Sequence, residues 1–221
     1  MASPTLILDL DGTLVDTAAD LVATLNLILS SEGVPPLAHG EAVKKIGGGA
    51  KAMIEAGLAA QGVAVAAPRL DALYAAFLDR YAAHMTDSSR PFPGAVEALD
   101  RFAAAGWTLA ICTNKLERLS RDLLGRLGIA GRFAVIAGQD TYGERKPDPR
   151  HLTLTIRAAG GRPEHAVMVG DTAIDIDTAR AARVRSVAVS FGYSPVPAAS
   201  LGADRVIDHF DQLFAAVGTL G

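Results

Sequence analysis

Near its N-terminus the chain reads Leu6-Ile7-Leu8-Asp9-Leu10-Asp11-Gly12-Thr13, and no other stretch limits the fold as strongly. An unbroken apolar run of strand formers reads as a parallel strand buried on both faces. It breaks off into two carboxylates, a glycine and a hydroxyl, at the edge where open α/β sheets bind ligands. Asp9 and Asp11 are two residues apart, so in extended geometry both project to one side, and paired like charges call for a cation or a shared proton. A plain Asp-Gly turn is the simple alternative. A calcium loop is excluded by counting: from Asp9, the required glycine falls at Leu14 and the bidentate glutamate at Asp20.

A doubly buried strand needs a sheet and a core, and 221 residues, 50% hydrophobic, supply them as one domain with an insertion or two small domains. A net charge of -3 without a basic run gives no footprint for nucleic acid, and no stretch approaches a membrane span. The expected partner is a small molecule. Met1-Ala2-Ser3-Pro4 enters the first strand without the parts of a secretory signal, and the lone Cys112 leaves no internal disulfide, so a cytoplasmic protein is expected.

After the first strand, Asp16 or Thr17 can cap a helix, with Asp20 completing a Thr-x-x-Asp box and Leu21, Leu25, Ile28 and Leu29 forming its apolar stripe. Gly47-Gly48-Gly49 leads into a short helix around 50–60. A further helix around 70–81 presents Leu70, Leu73, Tyr74, Phe77 and Tyr81. No strand is evident between 17 and 86, and Asp87 to Gly94 has linker composition. Beyond it, strand runs at 107–113, 133–137, 166–170, 186–190 and 205–207 alternate with helical patterns. That alternation predicts an α/β core: a Rossmann-like parallel sheet with helices on both faces, completed by the first strand. The expected domains are a core of 1–16 and 87–221 and an inserted all-helical cap of 17–86.

The later strands also end in polar groups: Thr113-Asn114-Lys115, Arg145-Lys146-Pro147 after the third, and Gly170-Asp171-Thr172-Ala173-Ile174-Asp175. Carboxylates, a hydroxyl, an amide and an ammonium on one sheet edge suit a divalent cation and a phosphoryl group. Cys112 reads as core, Asp177 as a solvated helix residue, and the scattered histidines lack ligand spacing.

In this order the segments resemble the four motifs of the haloacid dehalogenase superfamily. Leu14-Val15-Asp16-Thr17, Phe92-Pro93-Gly94, the segment around Thr113 and Ala203-Asp204-x-Val206-Ile207-Asp208 resemble its phosphoglycolate phosphatases more narrowly. The resemblance implies a Mg2+-dependent phosphomonoester hydrolase acting on a small phosphate ester, 2-phosphoglycolate first, as a monomer or homodimer. It implies Asp9 as nucleophile, Asp11 as acid and base, and Thr113 and Lys146 on the phosphoryl oxygens, with Gly12, Thr13 and Asn114 as helpers. Magnesium would be held by Asp9, Asp11 through its carbonyl, and Asp171, with Asp175 ligating directly or through water. Asp16 reads as a helix cap or a group touching the site. In the cap, the Gly47, Gly48 and Gly49 amides with Lys51, flanked by Lys44 and Lys45, form a candidate anion subsite. The same core serves phosphosugar mutases, phosphonatases and dehalogenases; Asp11 argues against the last. A phosphate-binding protein without turnover is the reading from another class, and the intact Asp9 and Asp11 pair opposes it.

Overall fold

The computed structural model describes residues 3–220; Met1 and Ala2, part of the segment read above for a signal, lie outside the described residues. Strand β1 (Thr5–Leu8) is buried throughout, as a run without polar alternation requires. Short β2 (Val15–Asp16) leads to α1 (Ala18–Ser31), α2 (His39–Val43), α3 (Ala50–Ala60) and α4 (Ala67–His84). The chain returns through β3 (Arg90–Pro91), then runs α5 (Ala95–Ala104), β4 (Thr108–Cys112), α6 (Glu117–Arg126), β5 (Val135–Ala137) and α7 (Pro149–Ala158). It finishes with β6 (Ala166–Gly170), α8 (Ala173–Ala181), β7 (Arg185–Val189), β8 (Arg205–Ile207) and α9 (Leu213–Gly218). Two compact units result: a helical one, Thr17–Arg90, and a core made of the chain before and after it.

The core is a six-stranded parallel sheet in the order β5-β4-β1-β6-β7-β8. The chain builds outward from β1 through β4 to β5, then jumps back to β6 on the other side of β1 and builds the opposite way. Such a reversal opens a crevice at the carboxyl ends of the central strands. Leu8 pairs with both Ile111 and Val169, so β1 ends one residue short of Cys112 and Gly170, the last residues of β4 and β6. Beyond the strand, the Asp9 N–H still donates to the Val169 carbonyl at 2.9 Å, and the Thr113 N–H to Ala137 at 3.0 Å. Asp9 therefore stands level with Cys112 and Gly170, and Thr113 and Asp171 follow one residue further along the same edge. Helices cover the sheet; Leu152 and Ile156 of α7 and Ala179 of α8 pack on Ile7, Ala110, Cys112 and Met168.

In the helical unit, α1 buries Leu21, Leu25, Ile28 and Leu29, and α4 buries Leu70, Leu73, Phe77 and Tyr81, with Tyr74 only half-buried. Gly57 lets α3 approach α1; a Cβ there would stand 3.2 Å from Leu25 Cδ1. The expected Thr17 and Asp20 capping box does not form, because Thr17 makes no side-chain cap bond and Asp20 is engaged elsewhere. The buried Asp20 carboxylate accepts the Ser88 N–H (3.0 and 3.1 Å), the Ser89 N–H (2.8 Å) and the Ser89 hydroxyl (2.7 Å). Three donors from one turn outweigh the helix amide that a box would satisfy. They also bind Ser88 and Ser89 to this unit, which extends to Arg90 rather than ending near residue 86.

Candidate active site

Asp9 is the first residue past β1, and its carboxylate is enclosed. Asp9 Oδ1 lies 2.8 Å from Lys146 Nζ, an ion pair without good hydrogen-bond alignment. The same ammonium donates to Asp175 Oδ1 at 2.6 Å. Asp175 opens α8, where its Oδ2 accepts the Thr172 N–H (3.0 Å) and hydroxyl (2.8 Å) in a capping box. Both Asp175 oxygens are thus engaged.

Asp171 is held as closely. Its Oδ1 accepts the Thr13 hydroxyl at 2.9 Å and its Oδ2 the Tyr193 N–H at 2.7 Å. Gly12 is required at this point: its φ is +84°, and a Cβ would come within 2.5 Å of Asp171 Oδ2 and 2.6 Å of the Tyr193 ring. The Tyr193 hydroxyl donates to Asp16 Oδ1 at 2.7 Å, so one residue ties Asp171 to the end of β2. Asn114 Nδ2 donates to the Lys146 carbonyl at 3.0 Å, fastening the end of β4 to the loop that delivers the lysine. Lys115 Nζ sits 3.0 and 3.1 Å from the two Asp11 oxygens.

Asp9, Asp171 and Asp175 each offer an oxygen, all within 4.8 Å of one another. Burial raises the Asp9 carboxyl to about 6, with Lys146 opposing and Asp175 adding to the rise. Burial, then Asp175 and Asp9, push Asp171 well above the ordinary carboxylate range. Burial works against the Lys146 ammonium, but Asp175 and Asp9 hold its pKa above that of an ordinary lysine. One lysine does not neutralise three enclosed acids. The donors are all carboxylate oxygens, without sulfur or imidazole, and fit a hard divalent cation.

The sheet edge thus gathers Asp9, Asp11, Gly12, Thr13, Thr113, Asn114, Lys146, Asp171 and Asp175. The Thr13 hydroxyl and the Asn114 amide are turned to Asp171 and Lys146, so their side chains brace other site residues. Gly47, Gly48, Gly49 and Lys51 belong to the helical unit, where Lys51 forms an ion pair with Asp71 and Lys44 one with Glu41. Cys112 is buried and its thiol is pushed up to about 12, which leaves no thiolate near neutrality. Sequence reading left Lys115 without a role. Its parity with Thr113 at the end of β4 is a signal that would have found it. Tyr193 follows β7 at a distance from every motif, and nothing in the sequence announces its contacts.

The family model for haloacid dehalogenase-like hydrolases matches residues 6–189. The chain belongs to this family. It is 47% identical over 213 residues to a phosphoglycolate phosphatase of Mesorhizobium japonicum, covering 96% of this chain and 94% of that one. It is 46% identical over 215 residues to a phosphoglycolate phosphatase of Agrobacterium fabrum, covering 97% and 92%. The crystal structure of a predicted phosphoglycolate phosphatase from Haemophilus somnus superposes with a TM-score of 0.90 at 25% identity, over 97% of this chain and 98% of that one. This family member is therefore a phosphatase whose buried aspartate cluster is suited to phosphoester hydrolysis.

Proposed function

We propose that the chain hydrolyses 2-phosphoglycolate to glycolate and phosphate. The observation that carries the reading is the enclosed Asp9, paired with Lys146 and level with the last residues of β4 and β6. A carboxylate so placed is a nucleophile for phosphorus. Asp9 Oδ attacks, the bond between phosphorus and the ester oxygen breaks, and an aspartyl-phosphate forms. Asp11 gives its proton to the departing oxygen, then accepts one from the water that splits the acyl-phosphate, restoring Asp9. Lys146 and the Thr113 hydroxyl hold the phosphoryl oxygens where negative charge is concentrated. Asp175 and Asn114 position Lys146, and Thr13 and Tyr193 position Asp171.

Asp9, Asp171 and the Asp11 carbonyl would hold Mg2+, which when bound neutralises phosphoryl charge in the transition state. The Lys146 ammonium already on Asp175 Oδ1, where the Asp171 oxygens accept only from the neutral Thr13 hydroxyl and Tyr193 amide, favours a bracing role for Asp175. In this reading the helical unit is a cap that excludes water, and its Gly47, Gly48 and Gly49 amides are candidate anion donors.

Phosphate release across a panel of small phosphate esters, with Mg2+ and with a chelator, tests the proposal. We expect 2-phosphoglycolate to give the highest kcat/KM, with turnover abolished by the chelator and restored by Mg2+. A different preferred ester overturns the substrate, and full turnover in excess chelator overturns the metal.

A further inference from the structure

We infer that Lys115 is a specificity-determining residue whose ammonium, seated on Asp11, binds the carboxylate of the departing glycolate. The inference rests on the reading above and refines it. Two lysines are buried among the described residues, and burial of an ammonium is costly unless it serves a partner. Lys146 is matched to Asp9 and Asp175. Lys115 is matched to Asp11, which must approach the ester oxygen in order to protonate it.

The geometry of the substrate then fixes what else Lys115 meets. In 2-phosphoglycolate the carboxylate carbon is two bonds beyond the ester oxygen. Whichever Asp11 oxygen faces that ester oxygen, Lys115 Nζ is within 3.1 Å of it. The ammonium is thus within reach of the carboxylate of a substrate aligned for proton transfer with that group turned towards Lys115. It presents three donors and can bridge Asp11 and the carboxylate together. The cap lysines are poorer candidates, since Lys44 and Lys51 are exposed and already paired with Glu41 and Asp71.

A residue that only steadied Asp11 would serve every ester alike, whereas a carboxylate ligand serves one kind. The test compares 2-phosphoglycolate with ethyl phosphate, which also releases a primary alkoxide and so makes a similar demand on Asp11, but has no carboxylate. For wild type, Lys115→Met and Lys115→Gln, kcat and KM are measured on both esters, with thermal melting to establish folding. Both variants should lose activity on both esters. The ratio of kcat/KM for phosphoglycolate to that for ethyl phosphate should also fall by about 10–100-fold, largely through KM. Lys115→Gln keeps a hydrogen bond to Asp11 without the charge, so it reads the same loss if Lys115→Met fails to fold. An equal fall on both esters in a folded variant overturns the inference and leaves the substrate reading standing. A wild type that does not prefer phosphoglycolate overturns the substrate reading, and the inference with it.

Discussion

At the scale of single residues, the site trades stability for chemistry, and Asp9 shows it most directly. Its carboxyl lies at about 6 in the folded protein against 3.8 for an ordinary aspartate. A raised value means that Asp9 favours folding fully below about pH 4, and that this contribution is lost as pH rises through 6. At neutral pH the metal-free protein carries an ionised group in an enclosure that already holds Asp171 and Asp175. Asp9→Asn removes that charge while Lys146 keeps Asp175 as its partner. We expect the variant to release no phosphate. Without metal at pH 7.5, it should be stabilised by about 1–3 kcal/mol, raising Tm by a few degrees. A lower Tm would mean that the pairing of Asp9 with Lys146 outweighs the burial. Asp9 and its neighbours were legible in the sequence because an apolar strand cannot end in acids without reason. The seat of Lys115 on Asp11 was not, since 104 residues separate the two and only the pairing of β1 with β4 brings them together.

At the scale of elements, the strands of the core sheet after the helical unit were legible to within two residues at either end. The spans expected at 166–170 and 205–207 match β6 and β8, since runs bounded by turns leave little freedom in their limits. The five residues of α2 and six of α9 were not foreseen, because so short a helix shows no full period of apolar positions. Asp20 misled for a physical reason. Spacing predicts a local cap, but a carboxylate takes the best donors within reach, and those come from Ser88 and Ser89. Asp20→Ala should therefore act on the helical unit as a whole, beyond the first turn of α1. The expected loss is about 1–3 kcal/mol in thermal or denaturant unfolding, with faster hydrogen exchange at the Ser88 and Ser89 amides. Exchange confined to the N-terminus of α1 would restore the capping interpretation.

At the scale of the molecule, alternating strands and helices predicted the parallel sheet, but strand order was not in the sequence. That order decides the chemistry, because β6 returns beside β1 and brings Asp171 and Asp175 to Asp9. Three acids from two segments then form one electrostatic unit whose ionisation, metal affinity and contribution to folding are linked. Burial and mutual repulsion raise Asp9 and Asp171, so at pH 5 protons occupy groups that a cation needs ionised. At pH 7.5 the acids are ionised more fully, and a bound cation relieves their repulsion in the folded state only. Mg2+ should therefore raise Tm of the wild type by several degrees at pH 7.5 and by much less at pH 5. Asp171→Asn should abolish most of the increment at pH 7.5, because it removes a ligand and one source of the repulsion together. Calorimetric titration of Mg2+ into both proteins separates binding from turnover. An increment in Tm that is equal at the two pH values, or that survives Asp171→Asn, would locate the cation away from this cluster and leave Lys146 to balance the acids alone.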